Sequence, residues 1–338
     1  MPEITFDQAK EFLEDITSKD KVAIIHHDDG DGFCSGILFY DWCKKQKATV
    51  EQFTYEINKS SLEKLDLEKF NKIIVCDLAS NFMAEEFELI RDKQVLYSDH
   101  HPREKTIPEE ILELVTVDQG YIPSSRTAGE LTGIKPWLSL TGTINDAGHK
   151  YPENQKFIDE HLKEINMTLE KFREEISSVV TNFLVYFDKK FDEAFEILKD
   201  INSIQEIKKL KKYSEPVENE TQKFVEEYET KKERLGDINF YYFEPHFKVP
   251  VSGIISQEHD EEIFIFASPK KDGKHISLSA RNTSQKRNMA DLLRAGINGL
   301  EDGNAGGHGA AAGGMILAKD LEKFKKNIRD FIASPKKS

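Results

Sequence analysis

Short apolar runs, separated by amphipathic or charged stretches, follow one another through the first hundred residues. Residues 22–25, 73–75 and 94–97 are such runs, and residues 49–54 (TVEQFT) predict a further strand. Strands that alternate with helices predict an α/β fold with a doubly wound parallel sheet. The helices predicted between and before these strands cover residues 6–18, 33–45 and 85–91.

Side chains that can bind a metal follow three of these predicted strands. Residues 26–32 (HHDDGDG) follow the first apolar run, Asp77 follows residues 73–75, and residues 98–101 (SDHH) end the next strand. The carboxyl ends of parallel strands meet at one edge of the sheet, where ligands bind in open α/β folds. Carboxylates crowded there would repel one another unless cations held them, and carboxylate with imidazole suits a divalent metal. An acidic turn that only caps the next helix is the alternative for each strand end taken alone.

A further carboxylate and a possible anion site come later in the same region. Val115 and Val117 predict another strand, and a helix is expected to begin at Ser124 or Ser125. The start of that helix, beside Arg126, would suit a phosphate, although simple capping explains the serines equally well. Asp146 ends a mostly apolar helix and is a fourth carboxylate within reach of the cluster.

The second half of the chain changes from helical to β character. Residues 151–236 predict helices and connectors, of which the charged stretch 205–236 predicts an exposed helix that links two domains. From residue 237, alternating patterns predict the strands of a small mixed sheet. The glycine-rich stretch 303–314 predicts a loop that opens into an alanine-rich helix, with an anion site at the start of that helix. The runs predicted as strands are 238–244, 248–256, 261–270 and 275–281.

Length and charge narrow the class of protein. The 338 residues predict two domains: residues 1–204, a linker at 205–236, and residues 237–338. A formal net charge of -14 argues against extensive binding to duplex nucleic acid, though not against a local basic groove or phosphate capture by metals. Three scattered cysteines predict buried free thiols rather than disulfides. The acidic N-terminus and the lack of a long apolar run predict a cytoplasmic protein.

Four motifs in this order resemble those of the DHH phosphoesterase superfamily. They are HHDDGDG, VCD, SDHH and GTIND, and the C-terminal part of the chain resembles the companion DHHA1 domain. The superfamily includes RecJ-type exonucleases, oligoribonucleases, cyclic-dinucleotide phosphodiesterases and manganese pyrophosphatases. The resemblance implies a DHH catalytic domain over 1–204 and a smaller α/β DHHA1 substrate-binding domain over 237–338.

The resemblance also implies a set of metal ligands and their roles. One divalent ion would be held by His27, Asp29 and Asp77, and Asp77 would bridge to a second ion. His101 would face the scissile phosphate, and Asp99 would orient a neighbouring imidazole. His26 and Asp28 match no ligand position and would point away from the metals. Mixed carboxylate and imidazole ligands favour Mn²⁺, with Mg²⁺ as a possible substitute. The ligands of the second ion would be Asp31, Asp77, His100 and Asp146.

Two motifs of the second domain are similar to the phosphate-binding elements of DHHA1. The run HISLSAR ends in Arg281, followed by Asn282, and resembles the serine-rich strand whose arginine holds substrate phosphate. GGHGAAAG resembles the GGGH-type signature, which makes His308 a ligand of the same phosphate and Gly306 and Gly307 part of its loop. One departure is Ala305, which precedes the two glycines and shortens the glycine run.

The resemblance leaves three functions in competition. The first is a metal-dependent exonuclease that hydrolyses single-stranded DNA or RNA from an end, with a hydroxide between the two ions as nucleophile. The H-x-D-x-D-G form of the first motif fits compact archaeal RecJ-like nucleases, for which DNA repair is the expected role. The second is a phosphodiesterase for nanoRNA, pAp or cyclic dinucleotides. The third is a non-catalytic replication scaffold, which the complete ligand set disfavours. A helicase or another replication or repair protein is a possible partner, with residues 205–235 as its docking surface.

Overall fold

The computed structural model describes residues 4–282, 284 and 286–333. The chain forms two compact units, Met1–Glu215 and Pro216–Ser338. The boundary between them lies within the predicted 205–236 segment. The outer ends of the two predicted domains, at residues 1–3 and 334–338, lie outside the described residues.

Five parallel strands form the sheet of the first unit, in the order β2-β1-β3-β4-β5. Because neighbouring strands are parallel, all five carboxyl ends lie along one edge. This confirms the predicted doubly wound α/β fold. The strands are β1 (Lys21–His27), β2 (Thr49–Tyr55), β3 (Lys72–Cys76), β4 (Gln94–Asp99) and β5 (Leu112–Val115).

Helices cover both faces of this sheet. Successive residues of a strand point to opposite faces, so Ile24 and Ile74 enter one apolar core while Ile25 and Val75 enter the other. The three central strands β1, β3 and β4 are therefore buried on both sides, which explains their apolar runs, whereas the edge strands β2 and β5 are partly exposed. The helices of the first unit are α1 (Phe6–Glu14), α2 (Gly30–Lys45), α3 (Ser80–Phe87), α4 (Ser124–Thr132), α5 (Pro136–Asn145), α6 (Gln155–Glu164), α7 (Leu169–Phe172), α8 (Ser178–Phe187) and α9 (Phe191–Lys199), and α10 (Lys211–Lys231) contains the boundary between the two units.

Helix α5 packs closely against α2 and α4 at Gly142. A Cβ added at Gly142 would collide with the side chain of Ser125 and lie 2.8 Å from Cβ of Cys34. We expect Gly142→Ala to lower the free energy of unfolding by about 1–3 kcal/mol, the usual cost of overpacking a core. Urea unfolding would measure the change.

Gly253 offers a matched control for this substitution. It is also a helical glycine, in helix α11 (Val251–Glu258), but among the described residues no atom outside its chain neighbours and its own helix backbone lies within 4 Å of a Cβ added there. Gly253→Ala should leave stability unchanged or raise it by up to about 1 kcal/mol through helix propensity. Equal losses from both substitutions would contradict the close packing inferred for Gly142.

The sheet of the second unit is mixed, as predicted. Its order is β10-β11-β9-β8-β7-β6, in which β7 and β8 are parallel and the other neighbours are antiparallel. Helices α12 (Met289–Ile297) and α13 (Leu321–Ala333) bury Leu292, Leu293, Phe324 and Ile328 in its core. The strands are β6 (Glu233–Leu235), β7 (Ile238–Tyr242), β8 (Ile263–Pro269), β9 (His275–Arg281), β10 (Asn304–Gly307) and β11 (Ala311–Leu317).

Two elements of this unit differ from the prediction. Residues 248–256 were expected to form a strand, but most of them belong to helix α11, which buries Val251 and Ile255 at helical spacing. The glycine-rich stretch was expected to open into a helix, but it forms the hairpin β10–β11. Pairing of β11 with β9 along its whole length outweighs the helix propensity of its alanines.

Smaller differences concern the helices of the first unit. Helix α2 begins three residues earlier than predicted, and α3 covers Ser80–Phe87 rather than residues 85–91. None of the helices in the described part of the chain combines the length and apolarity that a membrane crossing requires.

Candidate metal centre

The carboxyl edge of the parallel sheet carries all the residues predicted as metal ligands. Strand β1 ends at His27, Asp77 directly follows β3, and His100 follows β4. Asp29 and Asp31 stand at the start of α2, and Asp146 at the end of α5. The structure brings their ligand atoms together in two groups, each within 4.8 Å, and a third such group joins Asp77 and His100 to Asp99 and His101.

The first group contains His27, Asp29 and Asp77. The Nδ1 atom of His27 lies 3.0 Å from Oδ2 of Asp29 and 3.8 Å from Oδ2 of Asp77. Asp29 is also the N-cap of α2 and accepts a hydrogen bond of 2.9 Å from the Gly32 N–H. A Cβ at Gly32 would lie 2.5 Å from the His27 carbonyl oxygen, so the tight turn that presents these ligands requires glycine there.

The second group contains Asp31, His100 and Asp146. The Nε2 atom of His100 lies 3.5 Å from Oδ2 of Asp146 and 3.3 Å from Oδ1 of Asp77. Each oxygen of Asp77 therefore faces the histidine of a different group. A carboxylate in this position is suited to bridge two cations.

The backbone places the Asp77 side chain where it can do this. Asp77 has a φ of +60° and is 1% exposed, and its N–H donates to the Ser98 carbonyl of β4. The hydroxyl of Ser124 donates to Oδ1 at 3.2 Å. Among the described residues, Oδ2 of Asp77 and Oδ2 of Asp146 have no hydrogen-bond donor although both atoms are buried. Buried oxygens without donors are costly unless a cation satisfies them.

The spacing of the side chains also fits divalent cations. Two ligands that are each about 2.1 Å from one cation and subtend 90–110° lie about 3.0–3.4 Å apart. The observed nitrogen-to-oxygen distances of 3.0, 3.3, 3.5 and 3.8 Å are close to this range. The residues present therefore fit a pair of divalent metal ions.

Repulsion within the cluster is reflected in the pKa values of its acids. Burial, together with the charges of Asp29, Asp31 and other neighbouring carboxylates, raises the pKa of Asp77 well above its usual range. Burial and the charge of Asp31 raise the pKa of Asp146 to about 7. Bound cations would relieve this repulsion.

Asp31 joins the metal centre to helix α4. Its two carboxylate oxygens accept hydrogen bonds from the N–H groups of Ser124 and Ser125, at 2.7 and 3.0 Å. A carboxylate of the protein, rather than a substrate phosphate, therefore occupies the N-terminus of this helix. Because Asp31 takes these two donors, the geometry gives no support to a phosphate at this helix start and agrees with the alternative that the serines serve helix capping.

Arg126 likewise has partners within the protein. Its guanidinium donates to Oε1 of Glu130 at 2.8 Å, to the Glu153 carbonyl at 2.9 Å and to Oδ1 of Asn154 at 2.9 Å. It also lies over the ring of Phe157. These contacts indicate that Arg126 holds the loop before α6 in place. They give no support to the predicted contact between Arg126 and substrate.

Asp99 and His101 form a pair beside the metal ligands. Oδ1 of Asp99 accepts from Nδ1 of His101 at 2.8 Å, and Oδ2 accepts from the hydroxyl of the buried Tyr97 at 2.8 Å. Burial alone would lower the pKa of His101, but the hydrogen bond and charge of Asp99 outweigh it and raise that pKa. Asp99 can therefore hold a protonated His101 ring in position to face an anion.

The first histidine of the HHDDGDG motif has a structural role. His26 is fully buried, with its ring centroid 5.3 Å from that of Phe195 and 4.9 Å from that of Phe33. Burial lowers the pKa of His26 to about 4, which keeps the ring neutral. Asp28 does not point away from the cluster as expected, because its Oδ1 lies 3.2 Å from Nε2 of His27.

Tyr121 and Ser124 were not predicted as residues of the centre. The ring of Tyr121 meets that of His100 edge-on, with the ring centroids 5.0 Å apart. Tyr121 stands in a loop without periodic pattern, so its spacing carried no signal. Ser124 was assigned to a phosphate or a cap, and only the packing of α4 shows that its hydroxyl contacts Asp77.

The predicted substrate-binding residues of the second unit lie at one end of its sheet. Arg281 ends β9 and pairs with Ala311 of β11, and His308 is exposed in the turn after Gly306 and Gly307 of β10. The side chain of Asn282 is buried and donates to the Arg287 carbonyl at 2.8 Å, so its observed contact is structural.

Solved structures share the fold of the whole chain. A crystal structure of exonuclease RecJ bound to manganese has a TM-score of 0.68 and 16% identity, covering 99% of this chain and 96% of that one. RecJ with Mn²⁺ from Thermus thermophilus has a TM-score of 0.65 and 16% identity, over 99% of this chain and 56% of that one. The pGpG-specific phosphodiesterase PggH from Vibrio cholerae has a TM-score of 0.51 and 15% identity, covering 93% and 98%.

Family models identify both units. At the level of full-length sequence, none of the curated proteins matches this chain. The DHH family N-terminal domain matches residues 21–132, which contain β1 to β5 and most of the cluster, and the DHHA1 domain matches residues 250–334. The chain therefore belongs to the DHH phosphoesterase family, with DHHA1 as its second domain and a RecJ-like fold.

Proposed function

We propose that this protein hydrolyses phosphodiester bonds at the end of single-stranded DNA or RNA, with two divalent metal ions as cofactors. The observation that carries the proposal is the geometry of Asp77, whose two oxygens face His27 and His100 at 3.8 and 3.3 Å. Two ligand groups that share one buried carboxylate are the arrangement expected of a two-metal phosphoesterase. The RecJ-like fold supports nucleic acid as the substrate class.

The residues would divide the work as follows. His27 and Asp29 would hold one cation, Asp31, His100 and Asp146 would hold the other, and Asp77 would contact both. Two ions held in this way would lower the pKa of water and stabilise charge on the attacking and leaving oxygens of a phosphate. His101, which Asp99 orients at 2.8 Å, would donate a hydrogen bond to a phosphate oxygen.

The ligand types favour Mn²⁺ as the preferred ion. Each proposed site contains one imidazole among carboxylates, His27 in one and His100 in the other. Mg²⁺ prefers oxygen ligands and retained waters, whereas Mn²⁺ accepts imidazole nitrogen and holds it more tightly. We therefore expect activity with both ions and higher affinity for Mn²⁺.

A phosphodiesterase for short or cyclic dinucleotides is the second candidate. It is favoured by the similarity to a pGpG-specific phosphodiesterase over nearly the full length of both chains. The same metal centre serves both reactions, so the two candidates differ in the length of substrate that is accepted.

A length series separates these candidates. Metal-stripped protein would receive Mn²⁺ or Mg²⁺ and then single-stranded DNA and RNA of graded length, labelled at either end, alongside linear and cyclic dinucleotides. Stepwise shortening of long strands is expected, and the position of the label gives the polarity. Cleavage of only two- to five-residue oligomers or dinucleotides would support the second candidate. No cleavage of any phosphodiester with either ion would overturn both.

A further inference from the structure

Two tyrosine rings are stacked next to the metal centre. The rings of Tyr121 and Tyr151 lie 4.2 Å apart and 15° from parallel. Tyr151 exposes 39% of its surface, whereas Tyr121 is partly buried. Since Tyr121 covers one face of the Tyr151 ring, the exposed area includes the other face or the rim.

The pair is connected directly to the proposed metal ligands. The ring of Tyr121 contacts the ring of the proposed ligand His100 edge-on, with the centroids 5.0 Å apart. Successive phosphates of one nucleic-acid strand are about 3.4 Å apart along a duplex axis. The ring of Tyr151 lies 4.2 Å beyond that of Tyr121. It is therefore within reach of the base of the nucleotide that carries the scissile phosphate, or of the base next to it.

Hydrogen bonds fix the two loops that carry these rings. The Nδ2 atom of the buried Asn154 donates to the carbonyl of Tyr121 at 2.8 Å and to that of Gly148 at 3.0 Å. Arg126 donates to Oδ1 of the same asparagine and to the Glu153 carbonyl, and Glu153 accepts from the Tyr121 N–H. The side chain of an arginine and a fully buried asparagine thus hold both tyrosines in place before any ligand binds.

We propose that the Tyr121–Tyr151 pair is a platform on which an unpaired nucleobase of the substrate stacks while its phosphate is at the metal centre. The proposal rests on the proposed phosphoesterase function and specifies its substrate as a nucleotide with an accessible base. A flat aromatic ring binds every base through its π face, so the platform favours single strands without strong preference for sequence.

The negative charge of the protein favours a contact that does not depend on positive charge. With a formal net charge of -14, the chain has no general electrostatic attraction for a polyanion. Base stacking on aromatic side chains supplies affinity that does not depend on positive charge. A base inside a duplex is stacked on both faces by its neighbours, so the platform can receive such a base only from an unpaired strand.

The test compares oligonucleotides that carry a normal base or an abasic site at the end that is cleaved. Wild-type protein should have a KM about 5- to 150-fold lower for the normal end, the range expected for one base stacked on an aromatic ring. Tyr151→Ala should raise the KM for the normal end to the abasic value, with the KM for the abasic end unchanged. Tyr151→Phe keeps the ring and should keep the preference.

Tyr186 provides the matched control. It also exposes 39% of its surface and contacts aromatic rings, those of Phe187 and Tyr213, but it lies on α8. Tyr186→Ala should leave the preference for a normal end intact. Equal KM values for both ends in the wild type, or a preference that survives Tyr151→Ala, would overturn the platform while the phosphoesterase function stands.

Binding provides a second readout that does not need turnover. A trinucleotide with 2-aminopurine at its end would be titrated with protein in the presence of Ca²⁺, so that binding is measured without turnover. Ca²⁺ binds oxygen ligands with longer bonds and looser geometry than Mn²⁺ or Mg²⁺. Stacking should quench the fluorescence with wild type and Tyr151→Phe, and much less with Tyr151→Ala. If no oligonucleotide is cleaved, the proposed function fails, and this titration alone decides the platform: equal quenching by all three proteins would refute it.

Discussion

Asp77→Asn should lower kcat for phosphodiester hydrolysis by more than about 100-fold. Residues that only orient metal ligands already account for about 10- to 100-fold in metal affinity or activity, and Asp77 faces both ligand groups itself. The loss should appear with Mn²⁺ and with Mg²⁺ on every substrate that the wild type cleaves. Steady-state kinetics would measure it, and equilibrium dialysis should find fewer Mn²⁺ ions bound per chain.

Asparagine is the informative replacement at this position. Asp77 has a φ of +60°, where asparagine is tolerated but alanine is strained. The amide oxygen can still accept from the Ser124 hydroxyl, and the backbone hydrogen bond to Ser98 is unaffected. The substitution therefore removes the charge and one oxygen while it keeps the shape of the site.

A surface carboxylate gives the control for Asp77→Asn. Asp66 is 75% exposed and makes only a 4.0 Å ion pair with Lys69, so Asp66→Asn should retain wild-type kcat. If Asp77→Asn keeps most of its activity, the bridging role assigned to this carboxylate is wrong. Loss in both variants would point to a general effect of the substitutions on folding.

The metal centre was largely predictable because it depends on topology and local order. Once His27, Asp77 and His100 stand at the ends of parallel strands, their meeting follows from the direction of the strands alone. Asp146 comes from a helix end rather than a strand, and the resemblance to known motifs was needed to include it. The observed distances add the information that sequence cannot supply, which is that Asp77 faces both groups.

Elements that depend on tertiary packing were not predictable. Val251 and Ile255 are β-branched and favour a strand locally, but their burial on one side of α11 makes a helix more stable. Gly314 lies where a Cβ would meet the Asn304 carbonyl oxygen at 2.8 Å, and this close approach of β10 and β11 is invisible in a glycine-rich run. The stacking of Tyr121 on Tyr151 likewise depends on two loops that share no sequence pattern.

Mn²⁺ should stabilise the wild-type first unit strongly. A ligand present at 100 times its Kd adds about 2.7 kcal/mol, which corresponds to about 5–10 °C in Tm for a unit of this size. Asp77→Asn should lose most of this increase, because it removes the negative charge that faces both ligand groups and one of the two carboxylate oxygens. Calorimetry of metal-stripped protein with and without Mn²⁺ would measure both changes.

Without metal, the same substitution should have the opposite sign and raise Tm by at least about 2 °C at neutral pH. Burial and neighbouring carboxylates raise the pKa of Asp77 above its unfolded value, so the ionised side chain destabilises the folded state at neutral pH. The asparagine carries no charge and avoids this cost. The gain should shrink as the pH falls toward the ordinary aspartate pKa, where the carboxyl is protonated in both states. Asp66→Asn should show neither effect. If metal-free Asp77→Asn melts below the metal-free wild type, the Asp77 charge does not lower the stability of the unliganded protein, and the proposed cost of keeping this carboxylate for metal binding is wrong.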